Sequence, residues 1–241
     1  MSPSRRDFIR TLTLAALAGG CSCRRSTATE PTPTNDQRIW IFDRMDSIGG
    51  ASVRAEGNPK MIDSPFGKAV VFDGIDDALF VDQHPLAGAT TFTFEALFRP
   101  DGGEFEQRWF HLAQDAPDPG AAPGTPGTSR IMFEIRVVEN DWYLDAFTRG
   151  PTHSHALIFP DKLHPIGQWT HVAQTYDGRM YRSYVNGILQ GEAAITFTPQ
   201  GPGRASVGTR INRVSYFKGA VREARFTPRA LAPTAFAIPS A

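Results

Sequence analysis

In Thr91-Phe92-Thr93-Phe94-Glu95-Ala96-Leu97-Phe98, apolar side chains fall at every second position: Phe92, Phe94, Ala96 and Phe98 share one side and Thr91, Thr93 and Glu95 the other. An extended chain with one buried face has this period, and Arg99-Pro100-Asp101-Gly102-Gly103 supplies the turn that ends it. The pattern recurs downstream. Ile131, Phe133, Ile135 and Val137 alternate with Met132, Glu134 and Arg136, and Asn140-Asp141 then breaks the run before Trp142 to Phe147. These two runs predict a hairpin. Residues 169–176, 180–185 and 188–192 are separated by Asp177-Gly178 and Asn186-Gly187, dipeptides that suit type I′ turns because both central residues there need positive φ.

Further short apolar runs at residues 39–42, 69–72, 78–81, 108–114, 205–208 and 219–226 bring the strand candidates to at least ten. Helical periodicity is confined to residues 228–236, which predict one short helical turn. The reading is an all-β chain whose antiparallel strands bury their apolar faces best as two packed sheets, a sandwich or jelly roll. Residues 115–129, with Pro117, Pro119, Pro123 and Pro126 among glycines, predict a surface loop.

Composition agrees with one ordinary domain plus tails: 241 residues, 41% of them hydrophobic, with 22 Gly and 19 Pro. Lys plus Arg and Asp plus Glu are each 25, a net charge of zero. No basic excess is available to neutralise a phosphate backbone, which argues against nucleic acid as a partner.

The first residues carry an address. Arg5-Arg6-Asp7-Phe8-Ile9 precedes a mildly apolar stretch from Thr11 to Gly20, too short to span a bilayer and patterned as a signal peptide of the twin-arginine type over residues 1–20. Ala18-Gly19-Gly20-Cys21 resembles a lipobox, which would make Cys21 the lipidated first residue of the mature chain. Ala16-Leu17-Ala18 offers a second cleavage site that would release a soluble protein. Both cysteines, Cys21 and Cys23, lie at this boundary, so no disulfide can staple the domain. Residues 21–37 are Ser/Thr/Pro-rich and predict a disordered tether ahead of a domain over residues 38–237. The expected location is the cell envelope, on the periplasmic side or cell surface, with the membrane touched only through the lipid. The expected oligomeric state is a monomer.

Gly67-Lys68-Ala69-Val70-Val71-Phe72-Asp73-Gly74, Thr91 to Ala96, Trp169-Thr170-His171-Val172-Ala173-Gln174-Thr175-Tyr176-Asp177-Gly178 and Tyr184-Val185-Asn186-Gly187 occur in this order. Together they resemble the successive signatures of laminin-G-like, concanavalin-A-like jelly rolls, and the resemblance runs from about Ile39 to Phe236. It implies the sandwich fold; it leaves open a lectin, a calcium-dependent binding module, a glycoside hydrolase or a polysaccharide lyase.

Alternation nominates a groove. Glu134 and Arg136 share a face; Gln107, Trp109 and His111 share another, opposite Arg108, Phe110 and Leu112; Arg182 and Tyr184 share a third. On one curved sheet these would give an aromatic platform, two guanidinium groups, a carboxylate and an imidazole, suited to a carbohydrate and, through Arg, to an anionic one. The alternative is a set of solvated outer faces. No catalytic residue is assigned: the paired-carboxylate spacing that the resemblance implies for hydrolases is missing, while Arg136, His111 and Tyr184 supply the residue types of lyases. Asp73, Asp76 and Asp77 gather hard oxygen ligands that would suit calcium, the one candidate cofactor, or simply form an acidic turn. His153 and His155 read as an exposed loop, and His171 and Trp142 as packing residues. The favoured function is a surface or periplasmic binding module for carbohydrate. A lyase or hydrolase, and a protein-contacting adhesion module, are the alternatives.

Overall fold

A computed structural model describes residues 36–118, 120, 122 and 127–240; the expected signal peptide, Cys21 and most of the expected tether lie outside the described residues. The strands are β1 (Arg38–Ile41), β2 (Ser47–Ile48), β3 (Ala51–Glu56), β4 (Lys60–Ser64), β5 (Gly67–Asp73), β6 (Ala78–Val81), β7 (Phe92–Pro100), β8 (Glu106–Gln114) and β9 (Arg130–Val138). They continue as β10 (Asp141–Gly150), β11 (His153–Ile158), β12 (His164–Pro165), β13 (Thr170–Tyr176), β14 (Met180–Val185), β15 (Ile188–Ala194), β16 (Gly203–Val207) and β17 (Lys218–Thr227). The predicted C-terminal turn is a single 3-10 turn at Pro233–Ala235. No helix among the described residues is long and apolar enough to cross a membrane.

Two antiparallel sheets result. One is eight-stranded, in the order β15-β14-β13-β7-β17-β5-β4, with β1 also on β17; the other is nine-stranded, β11-β10-β9-β8-β16-β6-β3-β2, with β12 on β10. The expected all-β sandwich is the observed fold, and the hairpin predicted around Asn140 is β9–β10, with Val138 opposite Asp141. Asn186 and Gly187 both take positive φ, 47° and 77°, as a type I′ turn needs. Asp177-Gly178 makes a longer turn instead: the Asp177 carboxylate accepts the amide N–H groups of Arg179 and Met180. His153 and His155 lie on an edge strand, β11, rather than in a loop.

The inward faces meet in an aromatic core. Phe98 of the eight-stranded sheet stacks on Trp109 of the nine-stranded one, centroids 4.2 Å apart and planes 4° from parallel, and Trp109 in turn stacks on Phe133 at 5.3 Å. Trp142 meets Phe98 edge-on at 5.1 Å, and Phe94 packs between Phe110 and Phe226 at 5.0 and 4.8 Å. Without disulfides, these rings and the aliphatic residues around them supply the apolar burial that holds the sheets together.

Register breaks once inside β8. Arg108 is opposite Glu134 and Phe110 opposite Phe133, so Trp109 is an extra residue, a β-bulge. Trp109 and Phe110 therefore both point inward, while Arg108 and His111 fall on the outer face. The expected alternation of Gln107, Trp109 and His111 against Arg108 and Phe110 is corrected accordingly. Trp109 is fully buried and cannot be a ligand platform. Trp109→Ala is expected to cost about 3–5 kcal/mol in urea unfolding, the range for emptying a buried aromatic site; a loss below about 1 kcal/mol would contradict its place in the stack.

Candidate functional site

The outer face of the nine-stranded sheet is assembled by cross-strand pairing. Glu134 of β9 lies opposite Arg108 of β8 and Asp145 of β10, and Arg136 lies opposite Tyr143. Arg136 reaches Asp145 Oδ2 at 2.7 Å, Glu134 Oε2 at 3.4 Å and Glu106 Oε2 at 3.3 Å. Arg108 closes the other side, 2.5 Å from Glu106 and 3.3 Å from Glu134, and donates to Ser215 Oγ at 2.8 Å. Two guanidinium groups thus hold three carboxylates. Glu134 and Asp145 are 3% and 1% exposed, a burial that charges tolerate only when paired. A groove of about 190 Å³ lies over this cluster, bounded also by Met132, Phe147 and Ile158. Phe105, 56% exposed, stands beside it with the Arg136 guanidinium 6.0 Å from its ring centre.

Asp145 is out of the ordinary carboxylate range. Burial and the neighbouring Glu134 push it up to about 7, against the downward pull of Arg136. His111, sunk in the same face at 3% exposure, goes the other way: burial and the charges of Arg210 and Arg130 lower it well below its ordinary value.

Of the residues nominated from sequence, Glu134 and Arg136 are neighbours in this groove and His111 lies further along the same face. Gln107 is not available. Its side chain is buried, donating to the carbonyls of Gly102 and Glu104 at 2.8 Å and accepting the Lys218 N–H at 2.9 Å, so it ties the β7–β8 loop to β17. Arg182 and Tyr184 belong to β14, in the other sheet, across the core from the rest. There Arg182 is held by Asp177 at 2.6 Å and Glu192 at 2.7 Å, and Tyr184 lies edge-on beneath Phe236 at 5.1 Å. A single groove uniting all seven residues is therefore corrected: strand order places them on opposite faces. The structure adds Arg108, Asp145, Phe105, Phe147, Arg130 and Arg210. Asp145 was within reach of the sequence, since a hairpin folded at Asn140 sets it opposite Glu134. The bulge hid Arg108.

His171, read as a packing residue, is 3% exposed and bonds Glu95 Oε1 at 3.1 Å. Asp73, Asp76 and Asp77 do gather, each offering an oxygen within 4.8 Å of the others. Those oxygens would suit calcium, yet they also close their own turn. Asp73 Oδ1 accepts the N–H groups of Ile75, Asp76 and Asp77, and Asp77 accepts Asn58 N–H at 2.5 Å and Asp73 N–H at 3.1 Å. An acidic turn explains these contacts without an ion.

Fold and face together define a two-sheet jelly roll with a grooved, charged sheet surface. Residues 73–235 match the concanavalin A-like lectin/glucanases superfamily, laminin G type, and the chain belongs to that family. No curated protein matches the chain in sequence. Among solved structures it is similar to domain 4 of AbnA, a GH43 extracellular arabinanase from Geobacillus stearothermophilus, in complex with arabinotriose: 18% identity, TM-score 0.60, covering 82% of this chain and 94% of that one. It is also similar to the binding domain of Paraclostridial Mosquitocidal Protein 1, at 11% identity and TM-score 0.58, covering 82% of this chain and 50% of that one. A botulinum neurotoxin type C structure, whose cell entry depends on interaction with two ganglioside molecules, matches at 11% identity and TM-score 0.53, covering 82% and 49%. The chain spans about half the length of those two toxin structures.

The raised Asp145 gives the site a pH signature. A carboxyl whose pKa rises on folding stabilises the fold fully below its unfolded value, near 4, and loses that contribution as pH climbs through about 7. Neutral, buried His111 has the opposite sign in acid, so the difference between two proteins isolates Asp145. Relative to wild type, Asp145→Asn should gain stability progressively between pH 4 and 7 in thermal melts, and a flat difference curve would remove the assignment.

Proposed function

We propose that the chain is an exported, lipid-anchored binding module whose nine-stranded sheet face recognises carbohydrate. One observation carries the reading: a groove with fixed donors and acceptors from Arg108, Arg136 and Glu134 sits beside an exposed aromatic ring, Phe105. Sugar rings lay C–H faces on aromatic rings and spend their hydroxyls on polar groups at the side, and side chains locked by mutual ion pairs bind with little ordering cost. Phe105 takes the part that sequence reading gave to Trp109. The arabinanase domain of similar fold is in complex with arabinotriose, and the type C neurotoxin, half of whose structure this chain matches, depends on gangliosides for cell entry, which supports the reading.

A second reading, chain cleavage by a lyase or hydrolase, is favoured by Asp145 alone. A carboxyl titrating near 7 beside Glu134 can hold or release a proton at neutral pH. Export rests on Arg5-Arg6 and Cys21.

In native gels cast with polysaccharides, the intact protein should be retarded by at least one polymer. Phe105→Ala and Arg136→Ala should each weaken retention about tenfold, the range for losing one aromatic or charged anchor. Running the gels with calcium and with chelator tests the Asp73 cluster, and new reducing or unsaturated ends in the same incubation would assign cleavage. No retention by any polymer would favour protein-contacting adhesion. For the anchor, cells fed labelled palmitate should label the wild-type chain and leave Cys21→Ser unlabelled; equal labelling would move the processing site away from Cys21.

A further inference from the structure

Past the paired carboxylates the same sheet face opens into a second cavity, of about 300 Å³, which shares Arg130 and Arg210 with the groove. Its polar wall includes His111, Arg130, Arg149 and Arg210 beside Thr128, Ser129 and Asn212. His111 Nδ1 accepts the Ile211 N–H at 3.0 Å, which puts the ring proton of the neutral imidazole on Nε2. That N–H is buried and has no partner among the described residues. Arg130 donates one Nη1 bond to the Thr128 carbonyl at 3.0 Å and rests on the Phe147 ring at 4.8 Å, while among the described residues its buried Nε–H is also without a partner.

Charge repeats the pattern. Arg149 lies directly opposite Arg130 across β9 and β10, a like-charge placement that destabilises a sheet. Burial together with Arg210 and Arg149 brings Arg130 down to about 10. Among the described residues, ion pairs on this face go to Arg108 and Arg136, and none goes to Arg130, Arg149 or Arg210. The neighbouring loop's Asp118 carboxylate is taken up by Thr128 and Ser129 rather than by an arginine, and the loop's undescribed residues, Pro119, Ala121, Pro123, Gly124, Thr125 and Pro126, carry no carboxylate. Among the described residues, then, side-chain donors converge with no carboxylate in ion-pair contact, and two of the donors are buried and unsatisfied, which in a folded protein asks for an explanation. An oxyanion suits such a wall, since it accepts only and guanidinium groups grip it in pairs.

We infer that this cavity holds the carboxylate or sulfate of an acidic glycan whose chain continues across the groove. The inference deepens the carbohydrate reading and rests on it for the glycan, whereas the oxyanion contact rests on His111, Arg130, Arg149 and Arg210. Removing two of these arginines relieves their mutual repulsion, so Arg149→Gln/Arg210→Gln is expected to fold and to melt no lower than wild type.

The test uses the intact protein against polygalacturonate, dextran sulfate, and neutral dextran and arabinan, with melts in sodium sulfate or sodium chloride at equal ionic strength. Wild type should bind one acidic polymer at least tenfold more tightly than the neutral ones, and sulfate should raise its melting temperature. The double variant should lose both preferences and show a shallower salt dependence, while Arg204→Gln, whose partner is Asp115, should behave as wild type. Polygalacturonate against dextran sulfate decides between carboxylate and sulfate. Neutral polymers binding equally well, with the variant unchanged, would overturn the oxyanion site and leave the glycan face standing. A variant-sensitive sulfate effect with no polymer bound would keep the oxyanion contact and overturn the acidic-glycan assignment together with the glycan face. A double variant that melts lower than wild type would overturn the premise of unrelieved repulsion.

Discussion

The bulge at Trp109 is the constraint on which both core and candidate site depend. One extra residue in β8 lets two consecutive rings, Trp109 and Phe110, enter the core, where a regular strand would admit one. Trp109 fills the space between Phe98 and Phe133, a near-parallel stack that joins the two sheets at mid-core. The same insertion shifts the phase of everything before it. Gln107 is turned inward to clamp the Gly102 and Glu104 carbonyls, and Arg108 is turned outward to meet Glu134.

From there the outer face divides by charge. At one end Glu106, Glu134 and Asp145 are held by Arg108 and Arg136: Glu106 and Glu134 each meet both guanidinium groups, and Asp145 meets Arg136. At the other end Arg130, Arg149 and Arg210 crowd together, with no ion pair to a carboxylate among the described residues. A protein that needed only solubility from these positions would alternate the signs, as directly opposed strands do elsewhere when charge serves stability. Segregation of paired from unpaired charge on one face costs stability and has its rationale in what lies on that face.

Much of the fold was legible because the strands of its centre alternate apolar with polar residues, even though both sides of β7 and β13 are buried. β7 and β9 announce themselves through Phe92, Phe94, Phe133 and Ile135. Among the strands that escaped, β3 (sequence ASVRAE) and β4 (KMIDS) are largely exposed and lack a run of large apolar residues, so period-two reasoning has nothing to grip. The site was half legible. Glu134 and Arg136 share a face in any regular strand, but Arg108 and Trp109 were exchanged because a bulge leaves no mark in a single sequence. Arg182 and Tyr184 were grouped with them because alternation assigns a face within a strand and says nothing of which sheet that strand joins.

The two sheets also differ in what covers them. On the eight-stranded sheet the C-terminal segment lies over the outer face: Thr93 Oγ1 accepts the Leu231 N–H and donates to the Arg229 carbonyl, each at 2.8 Å, and Glu95 Oε1 accepts the Ala237 N–H at 2.7 Å. Phe236 packs on His171 and Tyr184. Thr91 to Ala96, a stretch that carries the family resemblance, thus lies partly under the chain's own tail, so that resemblance reports packing rather than recognition. On the nine-stranded sheet the groove and cavity are flanked by the segments around Thr128 and Ile211 and left open between them. A ligand of some length has room to lie there, across strands whose side chains are already fixed by one another.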